Sequence, residues 1–272
     1  MRTKIISVVS VFVLFCCSSV VASPRKYKVV EVKDGAQLTG RVTFSGQVPD
    51  TKFSVTKNLE VCCVEGKKER PSPRLVVGEN RGVKNTVVFL TEVSRGKPFQ
   101  ESTPVLDQKN CTYDPHVLLI PVRSKLKIRN SDEVLHNAHG FLRNTDVFNL
   151  AMPRKDQVIE KRMRRAGIVS VKCDAGHTWM SSYVFVMKHP YYAVTDEEGR
   201  FSLENVPAGK KYTLRVWHEG WRLLEKDGES YSFERAVQLD VPLNLEAGAK
   251  AELNFVLGED GTLSQEKSKV EG

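Results

Sequence analysis

Along the chain, short runs of Val, Ile, Leu, Phe and Tyr alternate with polar positions and are separated by turn-forming clusters. In 125–129, Leu126 and Ile128 alternate with Lys and Arg, the signature of a half-buried strand. Comparable runs predict strands over 37–44, 85–90, 117–122, 167–173 and 183–187. A second series starts near His189-Pro190 and predicts strands over 191–195, 200–203, 212–217, 221–224, 237–241 and 251–257. Turn signals at 196–199 and 205–209 punctuate it. No long stretch has helical period, and 146–152 is expected to hold one turn of helix. The pattern predicts an all-β chain, its length suits two modest domains, and the regular short strands of the second series argue for a sandwich there. The expected division is a linker at 23–34, a first unit at 35–188, a smaller second unit at 189–258 and a flexible polar tail at 259–272.

The first 22 residues are set apart from the fold. Arg2 and Lys4 precede an apolar core, and Val20 and Ala22 put small residues at −3 and −1 of a cleavage site before Ser23. This reads as a secretory signal peptide. It predicts a periplasmic or otherwise extracytoplasmic protein with no membrane span after cleavage. Cleavage removes Arg2 and Lys4 and no acid, so the formal charge of +8 falls by two to +6. Arg154, Lys155, Lys161, Arg162, Arg164 and Arg165 concentrate that charge. They are read as a solvated strand face, or as a docking face for an acidic partner. There is no nucleic-acid recognition motif, so nucleic acid is not an expected partner.

Cysteine use brings in the chemistry. Beyond the signal the chain has Cys62, Cys63, Cys111 and Cys173. In an exported protein disulfides persist. Adjacent cysteines bridging each other would be strained, so Cys111 is paired with Cys62 or Cys63, the choice left open. Cys173 stays free and needs a reason. Its neighbours supply one: Cys173, His177 and Met180 follow a strand on one short loop, and His136 reaches in from the end of a neighbouring strand. Gly176 lets the loop turn back. Two imidazoles, a thiolate and a thioether are the donors of a trigonal copper site with a weak axial ligand. Asn130 and Asn137 flank His136 as candidate supports, with Asn137 placed to tie the two ligand loops together. His116 and His218 are read as structural, and His139 as a possible substitute for His136. A thiol protease would draw its His from a distant segment. A dinuclear copper centre would need a second Cys where Val169 stands.

The run Asn130-Ser131-Asp132…His136-Asn137 followed by Cys173…His177…Met180 resembles the cupredoxin (plastocyanin/azurin) superfamily. Segments at 40–44, 107–117, 149–153 and 192–196 are similar to a group of exported bacterial cupredoxin-like proteins that carry a carboxypeptidase-regulatory-like domain, some labelled "methylamine utilization protein". Many members place two residues between Cys and His, and here there are three, Asp174-Ala175-Gly176. Residues 196–217 look like the transthyretin-like module of carboxypeptidases. The resemblance implies a cupredoxin-like Greek-key sandwich followed by a smaller transthyretin-like sandwich. It also implies one type 1 copper at His136, Cys173, His177 and Met180, and a disulfide from Cys111 to Cys62 or Cys63.

The function expected is single-electron transfer, with a c-type cytochrome or dehydrogenase as partner and no catalysis. Copper handling as a chaperone, store or sensor is the alternative. A non-catalytic surface or carbohydrate-binding module is a further one.

Overall fold

The computed structural model describes residues 26–228, 230–266 and 269–271, so the expected signal segment lies outside the described residues. Among them the only helix is the single turn Leu59–Cys62, and the other regular elements are strands.

Two sandwiches form. In the first, a five-stranded sheet runs in the order Thr145–Met152, His136–Leu142, Gly167–Lys172, Ser181–Met187, Val117–Pro121. It packs on a four-stranded sheet of Gln157–Arg162, Lys125–Asn130, Val105–Lys109 and Thr112–Asp114. Leu106, Ile120, Leu126, Ile128, Val184 and Val186 are buried between them.

In the second sandwich, Tyr192–Val194, Val87–Leu90, Lys210–His218 and Val237–Leu245 form one sheet. The facing sheet is built around Ala36–Ser45. This strand pairs with Arg200–Val206 on one side, and in parallel with Lys250–Glu252 and Phe255–Gly258 on the other. The strand near 37–44, whose pairing with either unit the sequence leaves open, and the strand near 85–90, expected in the first unit, therefore belong to the second sandwich. The first sandwich proper spans roughly the stretch from Val105 to Met187.

The two sandwiches stack through their sheets, and the sequence shows why. Val87-Val88-Phe89-Leu90 is apolar at every position because both faces of that strand are covered. Val88 and Leu90 face the core of the second sandwich. Val87 and Phe89 face the other way, against Val117, Phe185 and Met187 of the first sandwich. In Ser181–Met187 the same alternation sends Val184 and Val186 inward and Phe185 outward to Trp217, ring centroids 4.9 Å apart. Each such side chain contributes about 1.5–3 kcal/mol by leaving water.

Three local expectations change. The 146–152 stretch is strand, not helix: Phe148 and Met152 are buried while Asn149 and Ala151 are exposed, a period of two along an edge strand. The expected tail carries Leu263–Gln265, paired with Phe255–Gly258, and Lys269–Glu271, paired with Lys250–Glu252. In the expected linker, Lys28–Val29 pairs with Arg95–Gly96.

Candidate metal centre

The site lies at one end of the first sandwich. His136 opens the strand His136–Leu142, and Cys173 directly follows Gly167–Lys172. His177 lies in the loop that returns to Ser181–Met187. Gly176 makes that return at φ +84, where a Cβ would also meet Lys57 Nζ at 2.9 Å. Neighbouring antiparallel strands thus bring three donors together. His136 Nδ1 and His177 Nδ1 are 3.3 Å apart, and Cys173 Sγ is 3.6 Å from His177 Nδ1. His136 and His177 are fully buried, and Cys173 is 5% exposed. Met180 is buried in the same core cluster as Cys173, and its N–H bonds to the His177 carbonyl at 2.9 Å. The other nearby thioether, Met152, accepts the Gln108 Nε2–H at 3.1 Å and is engaged there.

What fixes the imidazoles is on their outer sides. His136 Nε2 donates to Asp132 Oδ2 at 2.9 Å, and His177 Nε2 donates to Asn58 Oδ1 at 3.0 Å. Each outer nitrogen therefore carries its proton, and each inner Nδ1 turns a lone pair toward the other and toward the sulfur. Three electron-pair donors facing one another in a dry pocket call for a cation between them. Without a metal a proton meets part of that demand. Burial alone would raise the Cys173 thiol. Bonds to His136 and His177 and from the backbone amides of Asn137 and Ala175 outweigh it and bring the thiol down to about 6. Burial would lower His136, but Asp132 and Cys173 raise it above its ordinary value. A thiolate and an imidazole nitrogen pair suits a soft metal, copper before harder cations.

Asp132 is itself held. The hairpin turn between Val105–Lys109 and Thr112–Asp114 has Asn110 and Cys111 both at positive φ, 52 and 53. Both turn N–H groups donate to the Asp132 carboxylate, at 2.8 Å each. Burial opposes ionisation of Asp132, yet His136 and these two amides hold it below the usual carboxylate range. Asn130 secures the same loop: its Nδ2 donates to the carbonyls of Val134 and Met152, and its Oδ1 accepts from Asp132 N. Asn137 joins the two ligand segments, its N–H on Cys173 Sγ at 3.3 Å and its Oδ1 accepting from Asp174 N at 3.4 Å.

Asn58, Asp132 and the pairing Cys62–Cys111 complete the frame. The disulfide has a Cα–Cα distance of 5.2 Å, and Cys63 is free. Asn58 was invisible to sequence reasoning because it arrives from 119 residues away and belongs to no motif. Asp132 stood inside the quoted run, and its spacing of four from His136 was the available signal.

Other candidates go elsewhere. His139 is clasped by Asp174 and Asp146 on the strand face, away from the donor cluster. His116 bonds through Nδ1 to the Ser181 carbonyl at 3.0 Å and through Nε2 to the buried Glu219, which also pairs with Arg74 at 2.8 Å. The basic residues divide between the two ends of Gln157–Arg162. Arg154 and Lys155 follow Met152, which pairs with His136, so they stand at the donor end; Lys155 pairs with Glu133. Arg162 lies opposite Lys125, about 17 Å along the strand. There it lines a groove of about 400 Å³ with Arg164, Arg165, Lys161 and Asp146.

No protein-family model matches the chain, and no curated protein matches it. Solved structures are similar to part of it. A novel purple cupredoxin from Nitrosopumilus maritimus is 23% identical, covering 32% of this chain and 100% of that one, with a TM-score of 0.28. A methionine-to-alanine mutant of amicyanin in the Cu(I) state is 20% identical, covering 37% and 98%, with a TM-score of 0.28. The copper-containing nitrite reductase NirK from Thermus scotoductus SA-01 is 16% identical, covering 36% and 25%, with a TM-score of 0.28.

Proposed function

We propose that this chain is an extracytoplasmic, cupredoxin-like protein holding one type 1 copper and passing single electrons, without catalysing a reaction of its own. One observation carries the reading. Two imidazoles with their outer N–H groups fixed turn both inner nitrogens, together with the Cys173 sulfur, into one sealed pocket. Copper held by His136, Cys173 and His177, with Met180 as the weak thioether donor, would supply a one-electron couple.

The chain's own residues do the rest. Asp132 and Asn58 keep the imidazoles in one tautomer and one orientation. Amide hydrogen bonds onto the thiolate, from Asn137 and Ala175, spread its charge. The surrounding core buries both imidazoles and nearly all of Cys173, which keeps water from the donors. Arg154 and Lys155, at the donor end, suit an acidic face on a c-type cytochrome or dehydrogenase. Arg162, Arg164 and Arg165 stand about 17 Å along the strand, at the other end of the same sandwich.

The test is optical. The protein is brought to equilibrium with one equivalent of Cu(II). An intense thiolate-to-copper band in the visible is expected, absent in Cys173→Ser and retained in His139→Asn. No band in the parent protein, or a band indifferent to Cys173→Ser, overturns the reading.

A further inference from the structure

The disulfide stands against the donors. The sulfurs of Cys62 and Cys111 and a ring nitrogen of His177 all lie within 4.8 Å of one another, and all three residues are buried. A donor atom of His136 lies within the same limit of Cys111 and Asp132. The S–S bond also links the two groups that orient the imidazoles. Cys62 N–H bonds to the Asn58 carbonyl at 2.8 Å, and Asn58 holds His177. Cys111 N–H bonds to Asp132, and Asp132 holds His136. One covalent bond therefore closes the segment around Leu59–Cys62 over both ligands.

That closure raises the question of how a metal ion enters. Both imidazoles are fully buried, and Asn58 and the Cys62–Cys111 bridge stand against His177. Opening the disulfide would release the segment around Leu59–Cys62 without scattering it. Arg70 Nη1 bonds to the Cys62 carbonyl and to the Asn110 carbonyl, bridging the two half-cystine segments independently of sulfur. Trp179 Nε1 donates to the Cys111 carbonyl at 2.9 Å, and its ring stacks on Phe53 at 5.9 Å. The two thiols would stay beside His177.

We propose that Cys62 and Cys111, as thiols beside His177, form a second soft-metal site, a two-thiolate loading site for Cu(I), which the disulfide shuts when it forms. The proposal rests on the copper reading above. The site opens by exchange with a dithiol reductant. One reductant thiolate attacks a cystine sulfur to give a mixed disulfide, and the reductant's second thiolate displaces it. Two electrons pass to the cystine, which takes up two protons, and the reductant leaves as a disulfide. Cu(I) then replaces the two thiol protons, which go to water; thiolates select this soft ion. His177 stands within 4.8 Å of both sulfurs and belongs to the first donor group, so passage to His136 and Cys173 is ligand exchange with no change of oxidation state. The reverse exchange with an oxidised dithiol re-forms the bond, carries off two electrons and seals the centre.

The experiment counts Cu(I). The full chain carries Cys16→Ser, Cys17→Ser and Cys63→Ser, so that its remaining thiols are those in question. It is titrated anaerobically to equilibrium against a chromophoric Cu(I) chelator. With the disulfide closed, one equivalent is expected. After reduction with dithiothreitol and its removal, two are expected, bound at least tenfold faster. Cys62→Ser alone and Cys111→Ser alone should each lose the second equivalent. A reduced chain that takes only one overturns the proposal. So does a second equivalent that survives either single substitution, which marks a lone thiolate, or a reduced chain that has lost its thermal unfolding transition. A closed chain that takes no copper overturns the copper reading itself.

Discussion

Two clusters in this molecule bury histidine beside a carboxylate, and they differ in one respect. In the cluster between the sandwiches, both nitrogens of His116 are occupied, by the Ser181 carbonyl and by Glu219, and Arg74 takes the other carboxylate oxygen. In the cluster at the end of the first sandwich, His136 gives one nitrogen to Asp132 and keeps the other for a second imidazole and a thiolate. The first is complete as protein. The second is complete only with a cation. Burial and a carboxylate partner are common to both. What distinguishes a ligand from a fastener is the nitrogen left over.

The largest effect should come from breaking the complete cluster. Burial would raise the Glu219 carboxyl, but His116 and Arg74 hold it below the ordinary range. Glu219→Ala leaves the buried His116 without its acceptor and takes the carboxylate from the half-buried Arg74, at a cost of about 3–5 kcal/mol in folding stability. The urea midpoint should fall accordingly, while the visible copper band of the folded variant stays where it was. A variant of unchanged stability with a lost band would reverse the roles assigned to the two clusters.

A third histidine sharpens the contrast because it has no carboxylate. Burial drives His189, at the crossing between sandwiches, down to about 4, with Tyr191 N–H donating to its Nδ1 at 3.3 Å. The folded chain therefore keeps this ring neutral where the unfolded chain, with its ordinary value near 6.5, takes a proton. Stability from this group is complete above pH 6.5 and is lost as pH falls toward 4, by about 3 kcal/mol at most. Thermal denaturation at pH 7 and pH 4.5 should show a smaller difference between the two pH values in His189→Asn than in the parent.

The donors were legible because they are local: Cys173, His177 and Met180 fall within eight residues, and His136 sits seven residues after the end of the strand at 125–129. Strand periodicity was legible for the same reason. The 146–152 stretch was misread because a short edge strand with Asn149 and Asp146 on its open face lacks a continuous apolar run. The division into units failed for a different cause. Ala36–Ser45 pairs in parallel with residues more than 200 positions later, and no local pattern encodes a partner that far away. Asn58 and Glu219 were missed likewise; each acts through a contact across more than 100 residues.

The smallest expected effect separates the two supports of the metal-binding imidazoles. Asp132 is a charged acceptor and Asn58 a neutral one, and a charge-assisted hydrogen bond is roughly twice as strong. Asp132→Ala should weaken Cu(I) binding by about 10–100-fold, the usual cost of losing such a partner. Asn58 is suited to a cleaner experiment. Its backbone is left-handed, φ 51 and ψ 49, a conformation glycine adopts without strain. Asn58→Gly therefore removes the amide oxygen and leaves the turn into Leu59–Cys62 in place. Binding should weaken by about 3–10-fold, the charge-assisted cost halved as free energy. Equal losses in the two variants would mean that the Asp132 charge adds nothing to the ring it holds, and that orientation alone is what the protein supplies.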